Sequence, residues 1–227
     1  MEENTKRRKP EIRTVACKLQ VREKRREDGT EEDSRTITGT AIVFNEPFDV
    51  EGWDGDTYRE IVAPSAATME FLKTQDIKMN LLHKRDTTLA RWNRGEGNMR
   101  LSVDEKGVNF EFEAPRCDLG DRALELVKAG VYSGCSFEFY PKDYEVTVED
   151  KPGGGDLVTV KHTVFESIDA LTIAMDPAYE QTSVSAGELR EKSGRTSAKP
   201  KARPDGRERE VGSERSLLPR RKPGQDK

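Results

Sequence analysis

The sequence predicts a mainly β (α+β) domain: a single bent sheet or β-barrel of about seven or eight short strands with flanking helices, followed by a disordered basic tail. Three observations predict it. Apolar residues alternate with period two in short segments bounded by turn signals, as in Val15, Cys17, Leu19 and Val21. Residues 118–129 form the best amphipathic helix pattern in the chain. Hydrophobic residues make up 33% of the chain against 36% charged, too few core formers for all 227 residues to join one core.

Charge divides the chain in the same place. Residues 187–227 carry 13 Lys/Arg against 7 Asp/Glu, a net +6, whereas residues 1–186 carry 26 against 36, a net −10. The expected organisation is a disordered N-terminus over 1–12, an acidic folded body over 13–186, and a disordered basic tail over 187–227. No apolar run approaches the roughly 18 residues that span a membrane. The charged stretch Met1–Lys9 has no apolar segment behind it, so it does not read as a secretory signal. Cys17, Cys117 and Cys135 lack metal-ligand spacing, and an odd number of thiols fits a reducing compartment. The expectation is a protein that stays in the cell that makes it.

The elements follow in order. Residues 13–23 alternate as a strand, a charged insert with the turn dipeptide Asp28-Gly29 follows, and residues 35–45 form its hairpin partner. Residues 45–58 read as a loop. Ser65 stands where it would cap a helix of about three turns through Lys73. Residues 77–83 are a short apolar strand. Residues 99–103 and 108–113 flank Asp104-Glu105-Lys106-Gly107 as a hairpin. In the helix at 118–129, Asp118 is the expected N-cap, Leu119, Ala123, Leu126 and Val127 share a face, and Gly130 ends it. Residues 131–140 form a strand. Residues 143–148 and 156–164 flank Lys151-Pro152-Gly153-Gly154-Gly155 as a hairpin, and residues 168–174 form a last core strand. No helix with a Lys follows the glycines, so they do not form a phosphate cradle. Trp53 and Trp92 lie in polar loops, where ordinary packing is the first reading.

Two residues carry the chemistry. The chain has two histidines, so an enzyme pairing serine with histidine has almost no choice of base. His83 closes the run Leu81-Leu82-His83 and precedes a polar stretch, which puts the imidazole at an open edge where a base must sit. Ser136 lies 53 residues later, just after Gly134, where free backbone N–H groups could meet a developing oxyanion. Taken alone, each has a plainer reading, as a half-buried strand-end histidine and a small strand residue. Alternation sends Cys135 and Ser136 to opposite faces, so only one of them meets His83; residue chemistry alone leaves Cys135 and Ser133 open beside Ser136.

The stretch from Ile37 to Thr182 resembles the tailed-phage (caudovirus) prohead serine protease family, which is related to the herpesvirus capsid maturation proteases. The matching pieces come in the family's order: Ile37-Thr38-Gly39-Thr40-Ala41-Ile42-Val43-Phe44-Asn45, then Glu60-Ile61-Val62-Ala63-Pro64-Ser65-Ala66, then Leu81-Leu82-His83. The segment from Leu124 to Phe137 resembles the helix–Gly–Ser piece bearing the nucleophile, and Asp176-Pro177-Ala178-Tyr179 the closing motif. The resemblance implies a herpesvirus-protease-like fold, with His83 as general base, Ser136 as nucleophile and Cys135 in the core. The family usually sets an acidic residue seven positions before the Pro of the closing motif. Ala170 stands there. Asp169 is the first expectation for the third member, although a one-residue shift puts it on the other face of a regular strand unless a bulge re-aims it. Glu166 ranks second and His162 third, the latter having its first reading as an exposed residue of a polar hairpin.

The function implied by the resemblance is a prohead maturation serine endopeptidase without metal or cofactor. Its substrates would be the scaffold, the N-terminal extension of the major capsid protein, and itself. It would act in the host cytoplasm inside the assembling prohead, against the portal and prohead lattice, with a homodimer as the expected assembly. No membrane and no specific nucleic acid enters this reading. Backbone N–H groups near Gly134 or from residues 91–97 are the expected oxyanion donors. A catalytically inactive, scaffold-like capsid assembly protein is the competing reading, and Ala170 is the residue that favours it. A nucleic-acid-binding role for the tail ranks third, weakened by the tail's mixed charge.

Overall fold

The computed structural model describes residues 10–16, 19–22, 24–25, 31–32, 34–52, 56–151, 154–175 and 193. The predicted basic tail, apart from residue 193, the closing motif at 176–179, Trp53 and Cys17 lie outside these residues.

Alternating sequence becomes strand almost throughout. In chain order the elements are β1 (Glu11–Ala16), β2 (Gln20–Val21), β3 (Lys24–Arg25), β4 (Glu31–Glu32), β5 (Thr36–Val43), β6 (Phe48–Glu51) and β7 (Thr57–Val62). A 3-10 turn (Pro64–Ala67) and α1 (Met69–Leu72) follow. Then come β8 (Asp76–Leu81), β9 (Lys84–Asn93), β10 (Glu96–Gly97), β11 (Met99–Val103), β12 (Gly107–Glu113), α2 (Asp118–Lys128), β13 (Gly134–Asp150) and β14 (Asp156–Ala174).

The largest sheet runs β1-β13-β14-β8-β9-β10, with β7 parallel to the first half of β14 and β6 on β7. A second sheet runs β11-β12-β5-β2, and β3 pairs with β4. The sheets do not close, so the barrel alternative gives way to open sheets. The expected N-terminal hairpin also divides. Its first half is β1, which pairs with β13, while Gln20 and Val21 pair with β5 and Arg22 N–H donates to Thr36 O at 2.8 Å.

β13 and β14 form one long hairpin where four separate strands were expected. Its turn is closed by Lys151 N–H donating to Gly155 O at 2.8 Å, with Gly154 and Gly155 at φ 98° and 88°. The sequence interruptions are absorbed as register shifts between Glu138 and Tyr144. Pro141 lies among them, and proline cannot donate to a ladder.

The core lies between the sheets and the helices. Phe137, Phe139 and Phe165 are buried and pack with ring centroids 4.5–6.3 Å apart. α2 buries Gly120, Ala123, Leu124 and Val127. Cys117, not Asp118, is its N-cap. Gly130 at φ 69° follows the helix as expected of a C-terminal glycine. Ser65 does not cap a three-turn helix; its Oγ donates to Thr163 O at 2.9 Å. Thr68 caps the single turn of α1 instead, accepting from Phe71 N–H. Pro64 and the small residues after it settle as a 3-10 turn, which separates the two segments.

One ion pair is buried under the sheet. Arg13 of β1 reaches across the Phe139 ring and grips Glu60 of β7 with two bonds, Nε to Oε2 at 2.6 Å and Nη2 to Oε1 at 2.7 Å. Tyr58 Oη donates to Glu60 Oε1 at 3.0 Å. His162 Nε2 lies 3.4 Å from Glu60 Oε2 but is not aligned as a hydrogen bond. Burial alone would push the Glu60 carboxyl up. The Arg13 charge and hydrogen bond, with His162 beside them, reverse this and hold it well below the usual carboxylate range.

Because the folded Glu60 carboxyl titrates below its unfolded value, its contribution to stability is present above about pH 4.3 and is lost as pH falls below it. Glu60→Gln removes the carboxylate that binds Arg13 twice and leaves the buried guanidinium with Glu11, 3.2 Å from Nη1, as its remaining charge partner among the described residues, so it should cost about 3 kcal/mol at neutral pH. Thermal melts of the two chains between pH 7 and pH 2.5 should also show a shallower acid slope for the variant.

Candidate active site

The site is built on β13 and on the turn that joins β8 to β9. The expected strand through His83 ends at Leu81. Leu82 and His83 are the two central residues of a tight hairpin turn, with φ 53° and 57°. A two-residue turn of this kind needs left-handed backbone at both positions, which suits Asn-Gly far better than Leu-His. The left-handed conformation costs roughly 1–2 kcal/mol per residue. Tertiary contacts offset that cost. Leu82 N–H donates to Ile173 O at 3.0 Å, the Leu82 side chain packs on the core, and Thr87 Oγ1 lies 2.7 Å from the carbonyls of Leu81 and Lys84. The polar residues after His83 are therefore a strand, β9, rather than an open loop.

The turn carries the imidazole over β14 onto β13. His83 Nε2 stands 3.0 Å from Ser136 Oγ, and His83 Nδ1 stands 3.4 Å from Glu138 Oε1. Ser136 and Glu138 are two apart on one strand, so they share a face. Both are buried, Ser136 completely, while the His83 side chain is 25% exposed. A second hydroxyl, Thr14 Oγ1 of β1, lies 2.6 Å from Ser136 Oγ.

Cross-strand register orders this face into two rows. Thr14, Ser136, Thr172 and Asn80 stand opposite one another across β1, β13, β14 and β8, with Thr88 Oγ1 of β9 donating to Asn80 Oδ1 at 2.9 Å. The next row holds Glu138, Ala170, Lys78 and Arg91. Directly opposed residues share a face with Cβ atoms about 5 Å apart. Glu138 therefore stands across from Ala170, whose methyl leaves room for the carboxylate. A cleft of about 460 Å³ opens beside this row, lined by Lys78, Arg85, Arg91, Glu138 and Asp169 among others. Arg91 forks onto Asp76 with two 2.6 Å bonds and, aided by Lys78, holds that carboxyl below its ordinary range.

The other sequence candidates stand elsewhere. Asp169 is the extra residue where Glu138↔Ala170 gives way to Phe139↔Ile168, and its Oδ1 accepts from Ser167 Oγ at 3.5 Å. It lines the cleft but has no bond to His83. Glu166 is exposed. His162 is buried beside Glu60 among Phe139, Tyr144 and Phe165, not exposed in a polar hairpin. Cys135 points into the core on the opposite face from Ser136, and Ser133 Oγ donates to Met175 O at 2.7 Å. Trp92 is buried, its Nε1 donating to Leu72 O at 2.8 Å. Residues 91–97 lie at the far end of the β8–β9 hairpin from His83, so their N–H groups do not reach Ser136. Glu138 is the residue that sequence reasoning passed over. Its signal was the alternation Ser136-Phe137-Glu138-Phe139, which sets Ser and Glu on one face and two phenylalanines on the other.

Hydroxyl, imidazole and carboxylate in this order form the arrangement with which acyl-transfer hydrolases activate a serine. A family model described as caudovirus prohead serine protease matches residues 19–197, and the chain belongs to that family. No curated protein and no solved structure matches it. Among the described residues, no helix is long and apolar enough to cross a membrane.

Thr172 Oγ1 is fully buried and has no hydrogen-bond partner among the described protein atoms. An unpaired buried polar group costs about 1–3 kcal/mol. Thr172→Val keeps the side-chain shape and should raise stability by about 1 kcal/mol, read as a higher urea midpoint at unchanged slope.

Proposed function

We propose that this prohead protease family member is a serine endopeptidase with Ser136 as nucleophile, His83 as general base and Glu138 as the residue that orients His83. The observation that carries the reading is the 3.0 Å approach of His83 Nε2 to Ser136 Oγ with a carboxylate on the other imidazole nitrogen. Ser136 Oγ attacks the scissile carbonyl as His83 Nε2 takes its proton. Glu138 keeps the remaining proton on Nδ1 and stabilises the imidazolium. The tetrahedral intermediate collapses as His83 returns the proton to the leaving amine. Water then attacks the acyl-enzyme with His83 again as base, releasing the acid and free serine. Backbone N–H groups of β13 near Gly134 are the proposed donors to the oxyanion.

The proposed substrates are the scaffold and the N-terminal extension of the major capsid protein, with self-cleavage following. The work is done inside the assembling prohead, against its lattice and portal, by a homodimer. Asp169 and Glu166 are the weaker candidates for the third role, since neither bonds His83. The burial of Ser136 beneath Thr14 is the observation favouring the inactive, scaffold-like reading.

Co-expression with the neighbouring capsid gene product, followed by intact mass, decides between them. The wild type should trim the capsid protein at one site and Ser136→Ala should leave it whole. Identical trimming by both would overturn the assignment of Ser136, and no trimming by either, with shells still assembling, would favour the scaffold. Glu138→Ala should slow trimming about 10²–10⁴-fold, whereas Asp169→Asn should change it only a few-fold. Adding Ala170→Asp to Glu138→Ala restores a carboxylate on the same face and should recover about tenfold or more.

A further inference from the structure

We propose that the outer edge of β13 is where an extended peptide substrate docks, and that β1 occupies this edge as a built-in ligand anchored by Arg13 in the Glu60 pocket. The proposal rests on the assignment of Ser136 as nucleophile. β13 has two edges. The inner edge is taken by β14, which is joined to it through a closed turn and is covered in turn by β8. An extended peptide can therefore add to β13 as a strand only along the outer edge, and β1 lies there in antiparallel register from Glu11↔Phe139 to Ala16↔Gly134.

The cover is centred on the nucleophile. Thr14 stands directly opposite Ser136 and its hydroxyl is 2.6 Å from Ser136 Oγ, so the serine has no exposed surface although His83 beside it does. The outward-facing N–H and C=O groups of β13 pair with β1. An incoming strand, and the oxyanion it generates, need those same groups. Departure of β1 supplies both at once. The strand also lies before the family-matched region, which begins at residue 19.

The anchor sets the chemistry of the occupant. Arg13 is the residue just before the one facing Ser136, and its guanidinium is buried in two-bond contact with Glu60 and stacked on Phe139. A peptide without a cation at this position leaves the Glu60 carboxylate buried and poorly compensated. The edge therefore selects an extended peptide with arginine immediately N-terminal to the residue facing Ser136. In the intact chain the tethered strand competes at a high effective concentration, which keeps the hydroxyl masked.

Two readouts on the full chain test this, with folding of each variant checked by circular dichroism. The first is the rate at which diisopropyl fluorophosphate labels Ser136. The second is binding of a fluorescent synthetic peptide covering residues 10–16. Arg13→Ala weakens the internal strand, so it should be labelled about tenfold faster or more and bind the peptide about tenfold tighter or more than the wild type. The peptide carrying Ala in place of its arginine should bind neither chain.

Unchanged labelling and unchanged peptide binding in folded Arg13→Ala would overturn the proposal and make β1 a permanent strand. If Arg13→Ala fails to fold, Val15→Cys serves, because residue 15 stands opposite Cys135. The oxidised cross-link should exclude probe and peptide and dithiothreitol should readmit them, whereas equal behaviour of both forms would overturn the proposal. Arginine-dependent peptide binding without labelling in any chain would remove Ser136 as nucleophile and leave the docking edge standing.

Discussion

Everything that meets His83 is set by the antiparallel register between β13 and β14. Ser136 stands opposite Thr172 and Glu138 opposite Ala170, and β14 passes the register on to β8, whose turn carries the histidine. Side chains alternate faces along a strand, so a slip of one residue would bury Ser136 and Glu138 in the aromatic core and raise Phe137 and Phe139 to the polar face. The two phenylalanines pin the register from below, since both are fully buried against Phe165. Hydrophobic burial on one face of the sheet thus positions hydroxyl and carboxylate on the other.

Much of this was legible in the sequence where the deciding contacts are local. The β11–β12 hairpin and α2 follow from spacing and turn chemistry, and the structure moves their ends only slightly, whereas β13 keeps the expected alternation around Ser136 but runs on to Asp150. What failed depended on distant partners. β1 alternates correctly, but nothing in residues 11–16 names β13, more than a hundred residues away, as its neighbour. Ser65 is a good capping residue by type, yet Thr163 claims its hydroxyl. His162 sits in a polar stretch and is buried all the same, because β7 brings Glu60 and Tyr58 beside that half of β14.

The site itself was half legible. His83 and Ser136 stood out because histidine is scarce and the context around each matched the family. By sequence position the carboxylate is expected on β14, near Ala170. Space does not distinguish two strands of one sheet in that way. A carboxylate on β13 opposite Ala170 occupies the same face at a side-chain distance from the same imidazole, so the position expected to hold the acid and the residue bonded to His83 form one cross-strand pair. Asp169 was displaced by the bulge that lets Glu138 and Ala170 stay opposed.

The topology also fixes an order in time. The two residues joined to His83 lie on β13, and the inner support of β13 is β14, the last strand of the described fold. While the chain is being synthesised from its N-terminus, β1 and the β8–β9 turn exist first, with nothing to meet. Ser136 then emerges on a strand that has no inner neighbour until Ala174 has followed it. Hydroxyl, imidazole and carboxylate converge only when the whole domain is complete, so a nascent or truncated chain carries each of the three groups and no site.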